Sequence, residues 1–252
     1  MHAPRICIVL LWCATAAALA QGRAPDRTLL ERLYSLVWPA GRFNGDLVRA
    51  VERNTQKGAS DTVAPSLYLV NASSRTVDEW PMSSGAGEPV VCQMDRGLVF
   101  RLGTRIVAEP LTIANGRVSS GGARVTLAAP SARRVLACAS RAATSIIWIQ
   151  ADDGGVTPFV RRGTELVRDT TDVGLGKVPS EQLADFLRVM GSLRPDGSSA
   201  AVLNRSLVRL GEGVDGPRSL IVDAPSLRFS GVPSWVPATD SLFVVAGKEG
   251  GR

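Results

Sequence analysis

The chain has 252 residues with 29 basic and 23 acidic side chains, a formal net charge of +6, and its single histidine is His2. Ser-His-Asp and Cys-His catalysis and histidine-bearing zinc or copper sites are therefore excluded for everything after position 2. Only Lys57, Lys177 and Lys248 are lysines and the arginines are scattered along the chain, so no basic stripe with interleaved aromatics offers itself to nucleic acid.

The first twenty residues combine Arg5, an apolar run from Ile6 through Trp12, and Ala18-Leu19-Ala20 before Gln21. That order predicts a cleavable signal peptide over 1–20, with the mature chain starting at Gln21. Cys7 and Cys13 lie inside its apolar part. No later segment reaches the roughly 20 apolar residues of a spanning helix. A periplasmic or secreted protein without a membrane span in the mature chain is expected. Two cysteines follow the leader, Cys92 and Cys138. In an oxidising compartment they are disulfide candidates, and the other reading is two separately buried small hydrophobes.

Residues 21–58 are predicted as a helical N-terminal segment. Asp26 or Thr28 caps a helix whose Leu29, Leu30, Leu33, Leu36 and Val37 follow helical spacing until Pro39 and Gly41, and Asp46 starts a second short one. From 59 to 252 the texture changes to short Val-, Ile- and Leu-rich runs separated by Gly, Pro, Ser, Asn and Asp clusters, which predicts many short strands joined by turns. One helix interrupts them near 179–190, with Ser180 as its cap, Leu183, Phe186, Leu187 and Met190 on one face, and Gly191 at its end.

The strand-turn units resemble one another. Ser66 to Val77 is an apolar strand, a polar turn and a second strand, and Ser145 to Thr157 has the same shape 79 residues further on. A second unit, a proline followed by a small polar turn and an apolar strand, occurs at Pro130 to Cys138, Pro195 to Leu203 and Pro237 to Val245, with a weaker copy at Asp95 to Phe100. The last copy is preceded by Pro233-Ser234-Trp235, and the middle one contains Pro195-Asp196-Gly197. These residues resemble the TolB-type (WD40-like) β-propeller repeat, in which a P-S-W segment leads into S-P-D-G and an apolar strand. The resemblance implies an all-β fold, a propeller-like array of four-stranded blades, here with a short helical N-terminal segment and one inserted helix. At about 40–45 residues per blade the stretch holds four to five blades, fewer than the resemblance implies. Trp80, Trp148 and Trp235 fall at comparable points of these units, as inter-blade core or, on a surface, as interface anchors.

Chemistry is sparse. No G-x-S-x-G elbow, phosphate-binding loop or dinucleotide fingerprint is present, and Gly174-Leu175-Gly176-Lys177 lacks the earlier glycine of a P-loop. No D-x-D-x-D calcium loop occurs. Asp152, Asp153, Asp169 and Asp172 are the candidate acids for glycoside hydrolysis, but Asp152-Asp153-Gly154-Gly155 reads equally as a hairpin turn. Asn71-Ala72-Ser73 and Asn204-Arg205-Ser206 match glycosylation acceptors. The sequence thus predicts no cofactor and no metal, and a non-enzymatic exported module that binds a protein or peptide. The alternative is a carboxylate-dependent glycoside hydrolase on a propeller scaffold.

Overall fold

The computed structural model describes residues 27–37, 65–93, 95–128, 132–141, 144–171, 179–196, 198–211 and 218–249. The leader, the helix expected from Asp46, Pro130, Asp172, the 174–177 fragment and Gly197 lie outside the described residues.

Among the described residues the chain is mostly antiparallel β-sheet. Helix α1 spans Arg27–Val37. Strands β1 (Ser66–Asn71) and β2 (Thr76–Glu79) form a hairpin, followed by β3 (Val90–Cys92), β4 (Gly97–Leu102), β5 (Arg105–Ala114), β6 (Arg117–Ser120) and β7 (Val125–Leu127). Next come β8 (Ala132–Arg141), β9 (Thr144–Ala151), β10 (Val156–Arg162) and β11 (Glu165–Arg168), then helix α2 (Ser180–Met190). The chain ends with β12 (Ser199–Leu203), β13 (Ser206–Leu210), β14 (Arg218–Leu220), β15 (Leu227–Trp235) and β16 (Ser241–Lys248).

These strands make four sheets. Sheet I has the order β15-β16-β1-β2, sheet II β3-β4-β5-β6 with β7 on β5, sheet III β8-β9-β10-β11, and sheet IV β12-β13-β14. Sheet I joins the first and last described strands, because β1 pairs antiparallel with β16 from Ser66↔Ala246 to Asn71↔Ser241.

Both faces of β1, β4, β9 and β16 are largely buried, and the period of two sends alternate residues to different cores. In sheet II, Leu98 and Phe100 pack with Leu67, Phe243 and Val245 of sheet I. Val99, Ile106 and Ala108 of the same sheet pack with Val135, Ile147 and Ile149 of sheet III. Ile146 and Trp148, on the other face of β9, join α1, α2, sheet IV and the Tyr68, Val70 and Val244 face of sheet I. This two-sided burial is why the sequence shows unbroken apolar runs instead of a clean alternation.

Helix α2 buries the predicted face, Leu183, Phe186, Leu187 and Met190. Ser180 is not its cap. It is the first helical residue, and the capping position is Pro179, which offers no side-chain hydrogen bond. Pro179 suits this place because its fixed φ and missing N–H cost nothing where the first amides have no partners.

The strand units do not repeat in the phase that their sequences suggest. Ser66 to Val77 supplies the third and fourth strands of sheet I, whereas Ser145 to Thr157 supplies the second and third of sheet III. The segments after Pro195 and Pro237 do correspond better. Leu193 bridges Ser199 across the first, a one-pair remnant of a leading strand before β12, and the second joins β15 to β16. The segment after Pro130 leads instead into β8, the first strand of its sheet. Each hairpin has the same local grammar, an apolar run and a polar turn, so sequence similarity alone cannot fix which strand of a sheet it becomes.

Cys92 and Cys138 are disulfide-bonded, with Cα atoms 5.1 Å apart. The bond links β3 to β8, the first strands of sheets II and III, within the core shared by those sheets.

Candidate functional site

Two turns built from the proline units meet. The Asp196 carboxylate accepts hydrogen bonds from Ser198 N–H (2.9 Å) and Ser198 Oγ (2.6 Å), the side-chain-to-backbone pattern that holds an Asx-type turn. In the β15–β16 turn, Thr239 Oγ1 accepts from Ser241 N–H at 3.0 Å and donates to Val236 C=O at 2.9 Å. Arg194 joins the two turns, with Nη1 3.1 Å from Asp240 Oδ1 and Nε 3.8 Å from Asp196 Oδ2. Its guanidinium also lies 4.7 Å above the Trp235 ring, whose Nε1 donates to Ser192 C=O at 3.0 Å.

The β1–β2 turn locks onto the same network. Ser73 Oγ donates to Asp240 Oδ2 at 2.5 Å, Asn71 Nδ2 to Ser241 Oγ at 3.2 Å, and Ser74 N–H to Asn71 Oδ1 at 2.8 Å. The hydrogen bonds from Ser73 and Arg194 hold the Asp240 carboxyl below its ordinary range. Burial pushes Asp196 up, but its bonds from Ser198 and the charges of Arg194 and Arg209 outweigh that and leave it lowered as well. Tyr34 on α1 donates to Arg194 C=O at 3.3 Å, and burial together with the Asp196 charge pushes the phenol up to about 12.

Above this floor opens a groove of about 870 Å³. One wall is the face of the β1–β2 hairpin, with Leu69, Asn71, Thr76 and Asp78, and the other is the β5–β6 hairpin, with Asn115, Gly116, Arg117 and Val118. Asn115 and Gly116 both have positive φ (51° and 73°), the backbone of a two-residue hairpin loop that Asn-Gly adopts readily. The lining mixes hydroxyls, amides and charges with the apolar Leu69, Val118 and Ala238, and holds no aromatic ring. It offers hydrogen bonds and charge to a ligand, without a stacking platform for sugar rings.

Of the four candidate acids three are described, and Asp172 lies outside the described residues. Asp152 and Asp153 are exposed in the β9–β10 turn, where Asp153 Oδ1 accepts from Gly155 N–H at 2.9 Å. Asp169 follows β11 and its Oδ1 accepts from Thr171 N–H at 3.1 Å. Among the described residues no group of three His, Cys, Asp or Glu side chains could hold a metal ion, and no helix is long and apolar enough to cross a membrane.

Trp80, Trp148 and Trp235 are all buried, at 5, 3 and 2% exposure, so none presents its ring to a partner. Their positions are not equivalent: Trp80 follows the outermost strand of sheet I, Trp148 lies in the second strand of sheet III, and Trp235 ends the first strand of sheet I. The Asn71 amide is bonded on both sides, while Asn204 sits in an exposed turn with φ 50°.

Two charged side chains escaped sequence reasoning. Glu109, 6% exposed on β5, accepts from Trp80 Nε1 at 3.0 Å and from Arg124 Nη2 at 2.7 Å. Burial raises its pKa, but bonds from Ser120, Trp80 and Arg124 prevail and lower it overall. Glu88, before β3, accepts from Nε and Nη2 of Arg188 on α2 and from Val232 N–H at 3.3 Å, tying three elements together. The available signal for Glu109 was a lone acid inside the apolar run Ile106 to Leu111. Comparison with protein-family models, characterised proteins and solved structures gives no match to this chain.

Proposed function

We propose that this chain is an exported, non-enzymatic binding module of the β-propeller type, whose partner is a protein or peptide held in the groove between sheets I and II. The observation that carries this reading is the groove itself. Its floor residues are already committed to one another, so the site is organised before a ligand arrives, and its walls leave polar groups facing outward. The propeller arrangement is supported by the succession of packed sheets, I on II, II on III, III on the helices, and sheet IV on the helices and sheet I. In it, sheet I is the closing blade, made of the last two strands and the first two. The TolB-like likeness of the Pro195 and Pro237 turns enters as supporting resemblance only.

Export is supported by the leader sequence and by the Cys92–Cys138 bond, which persists in oxidising compartments. A binding role is favoured over glycoside hydrolysis because Asp153 and Asp169 serve as local turn caps. The test is capture of envelope proteins by the immobilised mature chain. Ser74→Arg, which fills the groove, is expected to abolish capture, and Asp152→Arg, in the β9–β10 turn, to leave it intact. Equal capture by both variants overturns the groove assignment, and glycan turnover lost on Asp152 or Asp169 substitution overturns the non-enzymatic reading.

A further inference from the structure

The hydrogen-bond phase of sheet I leaves one row of backbone groups unused beside the groove. Trp80 N–H donates to Leu67 C=O at 2.8 Å, and the register continues Leu69↔Asp78 and Asn71↔Thr76. In an antiparallel ladder bonded pairs alternate with non-bonded ones, so Leu67, Leu69 and Asn71 turn their backbone toward β2. On the other side Ala72 N–H donates to Asp240 C=O at 2.8 Å, so Ser66, Tyr68 and Val70 turn theirs toward β16. The two observations agree. Thr76 and Asp78 therefore face β1, and Val77 and Glu79 direct their N–H and C=O outward. Among the described residues β2 is the last strand of its sheet, and no backbone hydrogen bond takes up those N–H groups.

We propose that this free edge of β2 is a strand-addition site for an extended, β-branched peptide carrying a basic residue opposite Asp78. The proposal rests on the binding reading above and names the chemistry of the occupant. Backbone bonds to Val77 and Glu79 supply the pairing, and every second side chain of the added strand falls on the groove face beside Thr76 and Asp78. Charge selects the residue at that point. Glu79 is neutralised by Lys248 at 3.0 Å and Asp240 by Arg194, whereas Asp78 makes no hydrogen bond or ion pair with a described residue. An opposite charge directly across the strands is favourable and a like charge is not. The same rule disfavours a second copy of this chain, because pairing Val77 of one with Glu79 of the other sets Asp78 against Asp78.

The probe is a fluorescein-labelled peptide, Thr-Val-Thr-Lys-Thr-Val-Thr, read by anisotropy with the mature protein, beside a copy with Glu in place of Lys. The Lys probe is expected to bind roughly two- to fivefold more tightly than the Glu probe, and Asp78→Lys to reverse that order. N-methylation of the two threonines that flank the lysine removes the amides facing β2 and is expected to weaken binding about tenfold. N-methylation of the lysine, whose amide faces away, leaves binding unchanged. Val77→Pro removes one outward N–H and is expected to match the flanking methylation, while the peptide series needs no protein variant to fold. Equal effects of the two methylations, or a charge preference that survives Asp78→Lys, overturn strand addition. So does a dimer of this chain that competes with the probe. If these fail while Ser74→Arg still abolishes envelope capture, strand addition falls and the binding reading stands. If Ser74→Arg has no effect, that reading falls too.

Discussion

Trp235 occupies a position where several interactions converge: a buried indole, an N–H bonded to Ser192 C=O, and the Arg194 guanidinium over its face. Trp235→Ala is expected to cost about 3–5 kcal/mol in chemical denaturation, the range for truncating a buried aromatic. It would loosen the groove floor through Arg194. The carboxyls give the pH dependence. Asp240, Asp196 and Glu109 have folded pKa values below their ordinary ones, so the stability they contribute is present above the unfolded pKa of about 4 and is lost as pH falls through the lower folded values. Melting temperature will drop on acidification below about pH 4, and less steeply in Asp240→Asn. Tyr34 acts at the other end. Its raised pKa favours the neutral folded form, so its contribution is intact below about pH 10 and disappears as pH rises toward about 12. Tyr34→Phe will remove that alkaline part of the stability curve. At this scale the sequence was partly legible. Pro195-Asp196 and Pro237 to Ser241 read correctly as turns, but nothing local says that Arg194 would reach from one to the other, because that depends on how two distant sheets pack.

At the level of elements, the disulfide joins strands whose cysteines are 46 residues apart. Closing a loop of that length restricts the unfolded chain by about 4 kcal/mol in the chain-entropy account. Reductant is therefore expected to lower the melting temperature of the protein markedly, and Cys92→Ser to reproduce the shift without reductant. An unchanged melt in both would mean that the packing of sheets II and III alone sets the stability. The existence of α1, α2 and most strands was legible from apolar spacing and turn residues. The phase of the repeat was not, since the hairpin of β1 and β2 and that of β9 and β10 have the same pattern and occupy different places in their sheets. Pattern encodes strand, turn and burial, and the place within a sheet is set by partners far away in sequence. The Ser180 cap failed for a local reason: Pro179 already supplies the starting geometry of α2.

For the whole molecule, the dominant device is the joining of the first and last described strands in sheet I. β16 is flanked by β15 and β1, and its Leu242 to Ala246 feed two cores on opposite faces. A chain ending before Ser241 leaves β15 without a partner and β1 paired with β2 alone, and is expected to lose cooperative melting and to aggregate through the exposed edges. The groove depends on this joining, because its floor combines the β1–β2 turn with the β15–β16 turn, 167 residues separating Ser73 from Asp240. No linear motif could have revealed it. The central claim is that this groove holds a partner outside the cytoplasm. The most direct measurement is photocrosslinking in intact cells, with benzoyl-phenylalanine placed at Ser74 in the groove or at Asp152 in the β9–β10 turn. A discrete adduct from Ser74 with none from Asp152 is the predicted result, and equal adducts from both, or an adduct from Asp152 alone, would contradict the account.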